Sequence, residues 1–144
     1  MKVYLSGTIT ADPRTHFLRQ VAEEALVALG HVAVSPLRRK DASKFTPDGL
    51  SSGDTSIPPS LFVARDEADV QGCDAVILYA LGIESLERQS IGTWAELGLA
   101  RAYGKPIIVV ADAHQVINHP FVVVWATKVV KTVEEAIQTV HWLR

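Results

Sequence analysis

Between Ser90 and Val110 the chain reads SIGTWAELGLARAYGKPIIVV. The run carries one carboxylate, Glu96, where helical periodicity calls for an apolar or small residue. Gly92 and Thr93 precede it, Gly98 and Ala100 follow, and a strand-like apolar run closes the segment. A Gly-rich turn opening a helix lets a ligand approach backbone N–H groups closely. A carboxylate in the first turn of that helix would face the same crevice, and the helix N-terminus would keep it ionised, as a nucleophile requires. The plain structural alternative is a glutamate favoured by the macrodipole alone. Asp66 and Asp69 are the candidates for a second carboxylate, and the plain alternative for them is a solvated helix face. If one of them faces Glu96, the pair suits glycosidic-bond cleavage: one group attacks the sugar carbon and the other handles the leaving-group proton.

Other residues fit such a site. Tyr4, Gly7 and Thr8 end the first strand, where they can line a sugar pocket. The hydroxyls of Ser90 and Thr93 lie beside backbone N–H groups, which suits a phosphate or a sugar hydroxyl. His114 and His119 have no third ligand at metal spacing. Trp94, Trp125 and Trp142 read as core or interface.

The elements that must position these groups alternate. Lys2 to Ser6 reads as a strand bounded by Gly7. Asp12 and Pro13 form an N-cap and N1 pair, and Phe17, Leu18, Val21, Ala25, Leu26 and Leu29 recur at helical spacing up to Gly30. His31 to Ser35 is a second strand, stopped by Pro36. The polar segment from Leu37 to Pro59 reads as a long loop, a candidate mobile lid. Ser60 caps a helix running to about Gly72, and Asp74 to Leu81 is a buried strand. Ser90 to Tyr103 holds the site turn and a third helix, and Lys105 to Ala111 is another strand. Phe121 to Trp125 reads as a short strand with a continuation to Val130, and Thr132 to Leu143 as a helix with a Thr-Val-Glu-Glu capping box. This alternation predicts a single α/β domain over residues 1–144: a Rossmann- or flavodoxin-like three-layer fold with a parallel sheet of about five strands. Ligands of such sheets bind beyond the carboxyl ends of the strands, near a topological switch point.

Composition narrows the function. With 144 residues the chain can bury about two thirds of its unfolded surface. At 48% apolar it is globular, and a net charge of −2 gives no basic stripe for a nucleic-acid polymer. Arg38, Arg39 and Lys40 read as a solvated loop. The single cysteine, Cys73, excludes an intrachain disulfide and reads as a buried, inert thiol. No stretch reaches the roughly 18 apolar residues of a membrane span, so a soluble, cytoplasmic protein without a membrane partner is expected.

Three blocks, VYLSGTI at the start, RDEADVQGCDAVIL in the middle and SIGTWAELGLARAYGKPI after it, carry a family resemblance. In their order and spacing the chain resembles the nucleoside 2-deoxyribosyltransferase family, including its 2′-deoxynucleoside 5′-phosphate N-hydrolase relatives. The resemblance implies that Glu96 is the nucleophile, forming a covalent deoxyribosyl ester. It implies that Asp66, eight residues before Asp74, is the acid/base group; Asp69 is off that register. Tyr4 falls on the tyrosine near the sugar. Ser90, six residues before Glu96, falls where transferases acting on free nucleosides usually carry Asp and the phosphate-accepting hydrolases carry Ser. A hydroxyl at a helix N-terminus welcomes a phosphate, so Ser90 tilts the reading toward a 5′-monophosphate. Two departures stand against that tilt. The hydrolases follow the first strand with Arg-Gly-Gly, whereas Thr10, Ala11 and Asp12 stand here, leaving Arg14 or Arg19 to supply a cation. Asn118 falls near where a neighbouring subunit closes the pocket, at a position that is Asn in the nucleoside transferases and Ser in the hydrolases.

The resemblance further implies a nucleoside or nucleotide substrate, no metal or organic cofactor, and a homodimer or higher homo-oligomer with shared sites. The final helix and the Phe121 to Trp125 segment are candidates for its apolar interface. Two alternatives stay open. A phosphoribohydrolase of the lysine-decarboxylase-like type also uses a Gly-Thr-x-x-Glu turn, but carries Pro-Gly-Gly where Arg88, Gln89, Ser90 and Ile91 stand here. A nucleotide-sensing module on the same fold would bind without turnover.

Overall fold

The computed structural model describes residues 1–7, 13–38, 57–81 and 90–144, and of residues 13–15 the backbone alone. Thr8, Asp12, Arg39, Lys40 and the body of the candidate lid lie outside these residues. Strands and helices alternate: β1 Lys2–Gly7, α1 Pro13–Ala28, β2 Val32–Val34, α2 Pro59–Gly72, β3 Ala75–Ala80, α3 Ile91–Ala102, β4 Ile107–Ala111, α4 His114–Ile117, α5 Pro120–Trp125, β5 Lys128–Val130 and α6 Val133–Trp142. The five strands are all parallel, in the order β2-β1-β3-β4-β5. That is the flavodoxin-like order, whose switch point lies between β1 and β3. Among the described residues no helix is long and apolar enough to cross a membrane.

Period-two alternation along β1 divides its side chains between two cores. Val3 and Leu5 join Ile77, Ile108 and the buried faces of α1 and α6. Tyr4 faces the other way, among Val76, Leu78, Leu97 and Val109. The same parity puts Ser6 on the face of Tyr4. Burial on both sides explains why β3 and β4 are continuous apolar runs.

Three local readings change. Phe121 to Trp125 is helical, although its valines favour strands. Pro120 at the first helical position supplies a pre-set φ, and Ala126 N–H closes a turn on the Val122 carbonyl. α2 begins at Pro59 after Pro58, so Ser60 lies inside the helix and does not cap it. Among the described side chains of α1 the buried ones are Arg19, Ala22 and Leu26, while Phe17 is 65% exposed. The C-terminal signals behave as read: Gly30 takes a φ of 77°, and Thr132 and Glu135 close the capping box of α6.

His31, buried in the turn between α1 and β2, meets His141 of α6, with Nε2 and Nδ1 3.2 Å apart. Burial, the Met1 amino group, Arg144 and His141 all hold the His31 pKa below its usual value. A depressed histidine pKa means that the unfolded chain binds the proton more tightly. Stability is therefore complete above about pH 6.5 and falls as the pH drops through the folded-state pKa. The Tm, followed by circular dichroism from pH 7.5 to 5, is expected to fall, and His31→Gln is expected to flatten the fall. An equal fall in both proteins would remove His31 as its source.

Candidate active site

Glu96 projects from α3 toward the face of β1 that carries Tyr4 and Ser6. The Tyr4 hydroxyl donates to Glu96 Oε1 at 2.7 Å, and Ser6 Oγ donates to Oε2 at 2.5 Å. Residues two apart on one strand share a face, so a single strand supplies a donor to each carboxylate oxygen. The strand fixes the donors and the helix fixes the acceptor. Tyr4 and Ser6 are both fully buried.

α3 starts at Ile91, with Ser90 as N-cap accepting from Thr93 N–H at 3.3 Å. Glu96 therefore stands in the second turn, not the first, and the dipole has largely faded there. The expectation that the helix end keeps Glu96 readily ionised is corrected accordingly. Burial dominates and pushes its pKa above the ordinary carboxylate range; the bonds from Ser6 and Tyr4 pull it back, the Asp66 charge pushes it up, and Arg19 pulls it down. Burial, and then the Glu96 and Asp66 charges, push the Tyr4 phenol far upward, so Tyr4 stays a neutral donor.

The two aspartates of α2 separate in role. Asp66 is partly exposed, with Oδ1 3.4 Å from Arg65 Nη2, and its charge acts on both Glu96 and Tyr4. Asp69 is buried and takes a forked contact from Arg38, with Nη2 to Oδ1 at 2.6 Å and Nη1 on Oδ2. Arg38, although exposed, is thus an anchor for α2, and both Asp69 oxygens are occupied by it. Arg65 adds a bond to the Pro36 carbonyl at 3.0 Å.

Gly7 ends β1 with a φ of 152°, and a Cβ there would lie 3.1 Å from Tyr79 Cβ and 3.3 Å from Arg19 Nη2. Arg19, 2% exposed, donates from Nη2 to the Gly7 carbonyl at 3.2 Å. Among the described residues its Nε and Nη1 have no partner. Beside it a pocket of about 310 Å³, lined by Arg19, Glu23, Ser35 and Arg38 among others, opens between α1 and the residues after β2.

At the α3 turn, Thr93 is buried and its Oγ1 has no partner among the described residues. Gly92 is exposed, and a Cβ there would make ordinary contact with Ser90 Oγ at 3.6 Å. Asn118 caps the end of α4, with Nδ2 on the His114 carbonyl at 2.9 Å. Among the described residues no group of three His, Cys, Asp or Glu is placed to hold a metal ion. Tyr4 and Glu96 are brought into a hydrogen bond and the charge of Asp66 acts on both; Asp69 and Asn118 bond elsewhere; Ser6 was not singled out from the sequence. Its signal was its parity with Tyr4.

A part-buried carboxylate with oriented donors, in reach of a second carboxylate's field, can attack an electrophilic carbon while the second group moves a proton. The pattern of a family described as nucleoside 2-deoxyribosyltransferase matches residues 3–136. No curated protein matches the chain. A 2-deoxyribosyltransferase from Bacillus psychrosaccharolyticus superposes with a TM-score of 0.72 at 17% identity, over 95% of this chain and 90% of that one. The Clostridium botulinum CMP N-glycosidase BcmB gives 0.62 at 16% identity, over 99% of each chain. A 2-deoxyribosyltransferase from Leishmania mexicana gives 0.59 at 18% identity, over 81% of this chain and 68% of that one. At these identities the structural likeness is one of fold.

The raised pKa of Glu96 carries a stability consequence. The folded state holds the Glu96 proton more tightly than the unfolded chain, so stability declines as the pH rises through the folded-state pKa. Glu96→Gln is expected to raise the Tm at pH 8, with the gain shrinking toward pH 4. A pH-independent difference between the two proteins would refute the ionisation cost.

Proposed function

The chain belongs to the nucleoside 2-deoxyribosyltransferase family, and on that footing we propose that it cleaves the N-glycosidic bond of 2′-deoxyribonucleosides or their 5′-monophosphates through a deoxyribosyl ester on Glu96. The observation that carries this reading is the pair of hydroxyl bonds fixing both oxygens of a part-buried Glu96. In the first displacement a Glu96 oxygen bonds to C1′ as the C1′–N bond breaks. The electron pair leaves with the base, which takes a proton from Asp66. In the second, water or another base attacks C1′ and gives its proton to Asp66, the ester C–O bond breaks, and the pair returns to Glu96. Water gives an N-hydrolase and a base gives a transferase.

Ser90 favours the monophosphate and the hydrolase. It places a neutral hydroxyl at the start of α3, where a carboxylate would repel a phosphate. That one protein of this fold is described as a CMP N-glycosidase is consistent with a nucleotide substrate. Tyr4, Gly7, Thr8, Gly92 and Thr93 complete the proposed sugar and phosphate contacts. The proposed assembly is a homodimer. Phe121 and Val124 of α5 are exposed apolar residues available for its interface, as is Ile91 of α3, and α5 packs on α3 through Trp125 at Gly98.

The experiment is chromatography after incubation with deoxynucleosides and, separately, their 5′-monophosphates, each with and without a second free base. Base release from monophosphates without an acceptor is the expected result; a new nucleoside formed only with acceptor would establish the transferase instead. Glu96→Ala is expected to lower base release by about 10³-fold or more. Asp66→Asn is expected to cost about 10²–10⁴-fold, and less for a base that leaves readily without a proton. Substantial turnover by Glu96→Ala would sink the nucleophile.

A further inference from the structure

The Ser6 hydroxyl is fully buried and donates to Glu96 Oε2 at 2.5 Å. Its backbone is fixed by pairing with Leu78 of β3, so its position is set by the sheet and not by a loop. We propose that Ser6 is a positioning residue for the nucleophile, holding Glu96 in its ionised form and receiving the charge that returns to Glu96 when the sugar leaves. The inference rests on the reading of Glu96 as the attacking group.

The direction of the bond gives the argument. A hydroxyl donating to a carboxylate makes a charge-assisted bond, which is roughly twice as strong as a neutral one. A proton on Oε2 would abolish that bond or reverse it. Ser6 therefore stabilises the charged form selectively and opposes the burial that favours the neutral form. Tyr4 does the same at Oε1, but its ring also fills the core beside Val76 and Leu97. Replacing Ser6 by Ala deletes one oxygen and leaves the carbon framework in place, which makes Ser6 the cleaner probe of the two donors.

The bond also differs between the half-reactions. While Glu96 carries the sugar, its ester oxygens are uncharged and the Ser6 bond is weak. As the C1′–O bond breaks, the electron pair returns to the carboxylate and the bond regains its charge-assisted strength. Ser6 thus assists the second displacement more than the first.

The test compares the wild type with Ser6→Ala and Ser6→Cys, a weaker donor of similar size. The Glu96 carboxyl is titrated by carbon-13 NMR without substrate, its signal assigned by Glu96→Gln. Base release is then followed against pH, with pre-steady-state sampling. In Ser6→Ala the Glu96 titration is expected to move up by about one pH unit, with Ser6→Cys in between. The acidic limb of the base-release profile should move with it. A burst of released base should precede a slower steady state, because the ester accumulates. Base release with an unmoved Glu96 titration overturns the role of Ser6 alone. Failure of the wild type to release base from any deoxynucleoside or monophosphate overturns the nucleophile, and the Ser6 proposal with it.

Discussion

A carboxylate taken out of water must be given back the donors it has lost, and that requirement organises one end of this sheet. Glu96 receives a hydroxyl on each oxygen from β1. Both donors come from a strand buried on its two faces, so neither can swing away to solvent. The compensation is incomplete, because burial outweighs the two bonds and the group remains harder to ionise than an exposed glutamate. A carboxylate held in this way is poorly solvated and fixed in orientation by both of its oxygens.

The crevice is placed by the order of the strands. Leaving β1 the chain turns one way to β2 and then the other way to β3, so the helices that follow β1 and β3 pack on opposite faces of the sheet and leave a crevice beyond the paired strand ends. α3 follows β3 and delivers Glu96 to that crevice. α2 brings Asp66 to the same side, and it is held against the strand-end residues by two arginine contacts. Arg38 forks onto Asp69, and Arg65 reaches the Pro36 carbonyl. Adjacent turns of α2 therefore carry a carboxylate anchored by Arg38 and one whose charge acts on Glu96.

Much of this was legible in the sequence because strands and helices imprint different periods. The parallel sheet, its strand count and the helix carrying Glu96 follow from alternation, glycine placement and capping residues. Where the reading failed, a local signal was outweighed. The valines of Phe121–Trp125 suggested a strand, but Pro120 set a helical start and tertiary packing completed it. Arg38 looked like one of three solvated cations; its partner stands 31 positions further along, a pairing no local pattern announces. Arg19 was visible only as a possible cation, because a buried arginine anchoring a strand-end carbonyl looks like any polar residue on an amphipathic helix. Ser6 hid for a different reason: serine beside a strand-ending glycine is ordinary turn chemistry until the opposing glutamate is known.

Both edges of the sheet, β2 and β5, are three residues long. A strand that short presents too few free amides and carbonyls to template a neighbouring chain in register. Growth of the sheet from molecule to molecule is therefore disfavoured at either border. Contacts between copies are left to side chains on the helical layers, where shape and charge can make them selective. The architecture thus separates two hazards of a crowded solution: indiscriminate backbone pairing is suppressed at the borders, while recognition through side chains stays open to evolutionary tuning.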